Sequence, residues 1–220
     1  MIFLSVLQKE LKIEFKSRYS LNAALLFALV SVSAILFSFH ENSPSLQLMV
    51  GIYWVLVFFS SMASLSRAFV YEIERGSDYT LKTLTSASNV FVGKFLFNHL
   101  LTLGISFFIF ILFLFFFDSY KVNNFNYFMF EVLLGSLGIS ITSTFISSII
   151  AYAKNKNSLY SILCFPAQIP LIVSLIKLNE EIFSANFNND DIVFYFLIII
   201  SYCGISFIIS IFLFELIWED

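Results

Sequence analysis

Charge is scarce in this chain. Asp, Glu, Lys and Arg make up 12% of its 220 residues, about half the ~25% of an ordinary soluble domain. With 59% hydrophobic residues and a mean hydropathy of +0.90, a water-solvated globule is excluded and a membrane protein is implied. Cysteine is nearly missing. Cys164 and Cys203 both fall inside apolar runs, without C-x-x-C or C-x-x-C-H spacing. They build no disulfide framework, zinc site or covalent haem site and read as small buried hydrophobes. Histidine is limited to His40 and His99, toward opposite membrane faces, and each is open to a reading as a haem or metal ligand. No G-x-x-x-x-G-K-[ST] phosphate loop occurs, so ATP is not hydrolysed here by that route. No Ser/His/Asp constellation or metal-ligand cluster is visible, and the chain reads as a non-catalytic subunit. Ionisable residues are absent from the middle of every apolar segment, with Glu131 near the start of the fourth as the exception. Ion-coupled carriers need such residues at depth, so the energy source is expected outside this chain.

What is abundant is hydrocarbon. The 30 phenylalanines fit AT-rich coding better than an aromatic ligand site. Six apolar segments stand out at about Leu21–Phe39, Leu48–Leu65, Phe95–Phe117, Tyr127–Tyr152, Ser158–Ile176 and Ile192–Phe214. Each has about the ~20 residues that cross ~30 Å of hydrocarbon. Ahead of them, Phe3, Leu4, Leu7, Leu11 and Phe15 form a stripe, with Lys9, Glu10, Lys12, Glu14 and Lys16 on the other side. That period predicts an amphipathic helix over residues 1–18, lying in the headgroup plane as an uncleaved elbow. The expected fold is an all-α membrane protein: six transmembrane helices, an N-terminal interfacial elbow helix, and one permease domain over 1–220.

An even number of spans places both termini on one side. The arm holds Lys9, Lys12, Lys16 and Arg18, and the second-to-third connection holds Arg67, Arg75, Lys82 and Lys94. Lys154 and Lys156 follow on the same face, against Lys121 and Lys177 alone on the other. The bias of basic residues toward the cytoplasm then predicts that both termini are cytoplasmic. The outer loops are short and acidic, with Glu41, Asp118, Glu180, Glu181, Asp190 and Asp191.

Residues 67–94 are the longest polar interruption and read as a cytoplasmic connection. Each charge held in lipid costs about 2.5–3.5 kcal/mol, so the run must lie outside the bilayer. Val70, Ile73, Leu81 and Leu84 are spaced for two short amphipathic helices broken at Gly76, which supplies a positive φ. Arg67, Glu72, Glu74, Arg75 and Gly76 are the candidate contacts to a partner that drives the membrane part. In the fourth span Ser136, Ser140, Thr144 and Ser148 recur at i+4 and line either a packing face or the wall of a pathway. In the fifth, Pro166 and Pro170 flank Gln168. A helix should kink or break there, as a static bend or as a hinge.

These pieces in this order resemble permeases of the ABC-2 exporter type. The residues that carry the likeness are the N-terminal elbow and the Glu74-Arg75-Gly76-Ser77 connection. The narrower similarity is to the CcmB family. It rests on Gly51-Ile52-Tyr53-Trp54-Val55, Ser60-Ser61, Arg67, Leu133-Leu134-Gly135 and the Pro166-x-x-x-Pro170 segment that begins at Ser161. The likeness spans the chain from the elbow to the sixth helix. Two places depart from the family pattern: Ser66 precedes Arg67 where an acidic residue is usual, and Ser86-Ala87-Ser88-Asn89 carries no proline.

The resemblance implies a multi-pass subunit of the bacterial inner membrane, paired with a second copy and driven by the ATP-binding subunit CcmA. It implies work beside CcmC, CcmD and the haem chaperone CcmE, with ATP bound on the partner and haem as a transported ligand or as the cargo of the released chaperone. Nucleic acid is not among the expected partners. The competing readings are an ABC-2 exporter of lipid, glycan or drug, and a scaffold that assembles partners and moves no substrate. A secondary transporter is a further one.

Overall fold

The computed structural model describes residues 2–39, 44–117, 120, 122, 124–151, 153, 156–184 and 189–219, and for 75, 156–158 and 219 the backbone only. His40, Glu41, Asp118, Lys121 and Lys154 lie outside the described residues. Among the described residues the chain forms nine helices: α1 (Ile2–Ser17), α2 (Tyr19–Ser38), α3 (Leu46–Leu65), α4 (Val70–Arg75), α5 (Asp78–Leu84), α6 (Ala87–Phe116), α7 (Phe125–Ile150), α8 (Lys156–Phe183) and α9 (Asn189–Glu219). Six are long and apolar enough to span a bilayer, namely α2, α3, α6, α7, α8 and α9, as the six apolar segments predict. Several run beyond their apolar cores. The third spanning helix begins at Ala87 instead of Phe95, and the fifth continues past Ile176 to Phe183. Hydropathy marks the part that needs lipid; the helix continues for as long as its polar ends find partners. At 1.5 Å per residue, a helix such as α6 is about 45 Å long, more than the ~30 Å of hydrocarbon.

The small-residue helix sits in the middle. In α7, 78% of the apolar window is buried, against 17% in α2 and 22% in α9. Gly135, Ser136, Gly138, Ser140, Ser143, Thr144, Ser147 and Ser148 are all buried there. Side chains this small let neighbouring backbones approach, which is how helices gain contact where water gives no hydrophobic push. A Cβ on Gly135 would lie 2.3 Å from the Trp54 ring of α3, and one on Gly138 would lie 2.7 Å from Leu171 Cδ2 of α8. The peripheral helices show the reverse pattern. Leu26, Val30 and Phe37 of α2 and Leu197, Ile205, Phe212 and Leu216 of α9 point outward, as lipid-facing side chains do. The inward face of α2 is Ala24, Ala28 and Val32.

Two aromatic clusters close the ends of the bundle. At one end Tyr53, Phe110, Phe113, Tyr120, Phe128 and Phe183 interlock, with Phe110 and Phe128 centroids 4.6 Å apart and Tyr120 and Phe183 4.7 Å apart. At the other, Phe214 lies between Phe69 at 5.3 Å, Phe91 at 5.4 Å and Trp218 at 5.2 Å. This second end also carries α1, α4, α5 and the C-terminal turns of α9, where Lys82 stands 5.5 Å over the Trp218 ring. We call it the α1 end.

The prolines of α8 do not break it. The helix is continuous from Lys156 to Phe183 with Pro166 and Pro170 inside it, so of the kink or break expected from the sequence the break does not occur. Both neighbours bond to the proline segment. Gln168 Nε2 donates to Ser143 Oγ of α7 at 2.9 Å, and Tyr202 Oη of α9 donates to the Ala167 carbonyl at 2.9 Å. Side chains of adjacent helices are what makes proline tolerable in a spanning helix.

Gly135→Ala should lower the thermal midpoint of the purified protein in detergent, by the equivalent of about 1–3 kcal/mol of overpacking. Gly204, with nothing within 4 Å of its missing Cβ, should accept alanine without loss and with up to ~1 kcal/mol of helix propensity gained. Equal responses from the two variants would contradict the close α3–α7 approach.

Candidate functional site

The α1 end is where the sequence departs most from hydrocarbon, and its geometry follows from three local choices. The first is the joint between α1 and α2. Arg18 takes φ +52°, a left-handed conformation that costs a non-glycine residue about 1–2 kcal/mol. Glu14 offsets this: its carbonyl accepts from Arg18 N–H at 2.6 Å, and its carboxylate accepts from Leu21 N–H at 2.8 Å in the first turn of α2. The second is Gly93. A Cβ there would lie 2.6 Å from Val6 Cβ and 2.8 Å from the Phe3 carbonyl, so α1 lies directly on the α6 backbone.

The third is the turn between α4 and α5. Gly76 has φ +65°. Its N–H donates to the Ile73 carbonyl at 3.2 Å, and Ser77 N–H donates to the Glu72 carbonyl at 3.0 Å. This paired closure of a helix end is the one that favours glycine. The two short helices with a glycine break appear where the spacing of Val70, Ile73, Leu81 and Leu84 places them. The connection ends at Ser86, because α6 already begins at Ala87. Lys94 therefore belongs to α6 and not to the connection.

Lys94 is the centre of the site. It is 1% exposed, with Nζ 2.9 Å from Glu10 Oε1, 3.1 Å from Glu72 Oε2 and 2.6 Å from the Ala68 carbonyl. Its ammonium also sits 4.9 Å over the Phe69 ring. Lys9 completes the group by bonding the other oxygen of Glu72. Two lysines and two glutamates thus balance one another in a buried cluster. It joins α1 through Lys9 and Glu10, α4 through Glu72, and α6 through Lys94. Ser147 of α7 fastens the same corner: it accepts from Phe69 N–H and donates to the Ser66 carbonyl, each at 3.4 Å.

The expected contact residues are divided by this arrangement. Glu72 is 2% exposed and turned inward, so it is not a surface contact. Its charge was legible; its direction was not, because the matching lysines lie 63 and 22 positions away in sequence. Lys9 and Glu10, expected on a solvated face of α1, turn toward the bundle, whereas Leu4 and Phe15 are exposed. Glu74 and Gly76 lie on the outer side, together with Tyr71, Tyr79 and Leu84. Tyr79 is 74% exposed and Leu84 71%. Leu84 stood out in the sequence only as an apolar position of the second short helix, and Tyr79 not at all; large apolar groups exposed beyond the spanning helices are the signal that marks them. Arg67 is exposed, its guanidinium 5.4 Å over the Tyr19 ring. For Arg75 the structure describes only the backbone.

The serine face of α7 is covered. Ser136, Ser140, Thr144 and Ser148 are all buried. Their hydroxyls donate to the carbonyls of Leu133, Leu137, Ser140 and Phe145, at 3.0, 2.8, 2.6 and 2.6 Å. Across the contact, Asn98 of α6 donates to Thr144 Oγ1 at 2.8 Å, and His99 Nδ1 lies 3.4 Å from Ser136 Oγ. Deeper toward the opposite end, Glu131 is fully buried. Its two oxygens accept from Trp54 Nε1 and Asn179 Nδ2, both at 2.9 Å. This clasp joins α3, α7 and α8 and gives Trp54 of the G-I-x-W-V motif a structural task.

The family model described as "CcmB protein" matches residues 1–215. No curated protein matches the chain.

Replacing Lys94 by Met removes the buried cation between Glu10 and Glu72, leaving Lys9 alone against two carboxylates, and should cost about 3–5 kcal/mol, read as a lower denaturation midpoint in detergent. Converting Glu10 and Glu72 to Gln in the same chain should recover much of that loss, since the charges act as one unit. Additive losses would show instead that each charge is stabilised independently of the others.

Proposed function

Because the chain belongs to the CcmB family, we propose that it is the permease subunit through which ATP hydrolysis on CcmA drives a step of cytochrome c maturation. It is a multi-pass membrane protein of that transport system. In this reading the membrane is the bacterial inner membrane and the α1 end faces the cytoplasm, with α1 in the headgroup plane. A second copy of the chain, CcmC, CcmD and the haem chaperone CcmE are the other partners.

The observation that carries the reading is the α4–Gly76–α5 projection, which rests on a buried ion cluster instead of on a loose loop. The ATPase would press on Tyr71, Glu74, Tyr79 and Leu84. Glu72, on the inner side of the same short helix, would pass that displacement to α1 and α6 together. Arg67 would hold the end of α3 at the headgroup level. The covering of the α7 hydroxyl face by α6 favours ATP-driven release of haem-loaded CcmE over passage of haem along that face.

Staining membranes for covalently bound haem tests the pathway. Cells lacking the gene should lose the stain from every c-type cytochrome, and the restored gene should return it. An unchanged stain, in cells with no second maturation system, would overturn the assignment. The coupling surface has its own test. Gly76→Val forces a β-branched residue to positive φ, and Glu74→Lys reverses an outer charge. Both variants should insert at wild-type levels while co-purification of the ATP-binding subunit falls severalfold. Wild-type recovery of that subunit would remove α4–α5 as the docking element.

A further inference from the structure

At the corner between α1, α2, α4 and α6 lies a cavity of about 340 Å³, within the usual ~300–1,000 Å³ of ligand sites. Its wall follows α6 from Lys94 to Leu101, about 10 Å at 1.5 Å per residue. It therefore runs from the charged layer of the α1 end into the apolar layer. Its lining changes accordingly, from Arg67 and Glu14 to Phe97 and Leu101.

The charges in this cavity are of two kinds. Those of Glu10, Glu72 and Lys94 are consumed by one another and by Lys9. Arg67 and Glu14 are not. Among the described residues no carboxylate pairs with the Arg67 guanidinium, which rests over the Tyr19 ring. Glu14 bonds the Leu21 N–H and, among the described residues, pairs with no cation. One open positive and one open negative group thus line the same cavity without pairing with each other. Ser64 also lines the cavity; it is 5% exposed, and its Oγ, like those of Ser60 and Ser61 on the same helix, is buried without a hydrogen-bond partner among the described residues.

We propose that this cavity binds one phospholipid with a zwitterionic, amine-bearing headgroup, from the leaflet at the α1 end. Arg67 receives the phosphate, Glu14 receives the ammonium, and an acyl chain runs along Phe97 and Leu101. A headgroup of net negative charge suits the site less, because it leaves the Glu14 carboxylate without a cation, while Glu10, Glu72, Lys94 and Lys9 cancel one another. The lipid would fill the angle between the elbow helix and the bundle. This inference rests on the cavity alone and does not require the partner ATPase.

The test is native mass spectrometry of the full chain purified in detergent, delipidated and re-exposed to defined lipid. Phosphatidylethanolamine should rebind at one per chain, at least tenfold tighter than phosphatidylglycerol of the same chains. Arg67→Gln should weaken phosphatidylethanolamine binding at least tenfold, and Arg67→Lys should retain most of it. Glu14→Gln should narrow the preference between the two lipids. Equal binding of both lipids by the wild type, or unchanged binding in Arg67→Gln, would overturn the proposal. So would displacement by equimolar inorganic phosphate, which would identify a free-phosphate site.

Discussion

A lysine ammonium placed among hydrocarbon side chains is tolerable only when its charge and its donors are met, and Lys94 meets both through residues that no stretch of sequence brings together. Glu10 arrives on α1, Glu72 on α4, and the Ala68 carbonyl from the turn between α3 and α4. The position of each of these elements relative to α6 follows from that one requirement. A buried charge cluster of this kind adds little net stability compared with apolar packing, but its geometry tolerates few alternatives. It holds the short helices α4 and α5 at a defined angle to the bundle, which six or seven residues of helix could not do unaided.

The spanning helices obey a different rule. Where lipid surrounds the protein there is no gain in hiding leucine, so the interior goes to the helix with the smallest side chains. α7 is that helix, and its hydroxyls are spent on carbonyls of its own preceding turns or on the elements packed against it. Large aromatic rings then fill the wider gaps at both ends. The Glu131 clasp adds a polar bond to the packing between α3, α7 and α8, where Gly135 leaves room for the Trp54 ring.

Much of this could be read from residue order. Six runs of apolar residues gave six spanning helices, and Gly76 between two amphipathic pieces gave a glycine-terminated helix, because both depend on neighbours in the chain. What escaped depends on partners far away. Lys94 read as a loop cation because a lysine near an apolar run is ordinarily at its end; only Glu10 and Glu72 allow it inside a helix. The face of α1 that meets the protein could not be chosen from its periodicity, since both stripes repeat at the same spacing. Gly93 and Val6 decide it by fit. Pro166 and Pro170 predicted a kink or a break; the helix does not break, because side chains of α7 and α9 support that segment.

The inner face of α2 has a mechanical consequence. Ala24, Ala28 and Val32 present a nearly smooth strip to α3 and α6, and the longer Ile35 and Leu36 pack against the core only toward the far end of the helix. Interlocked helices resist sliding, while smooth ones shift along each other by shear at low cost. α1 is linked to α2 by the single residue Arg18, and to α6 by the Gly93–Val6 fit and by charge. A push delivered to this corner would therefore be taken up as a glide of α2 along its own axis, leaving the closely fitted α7 where it stands.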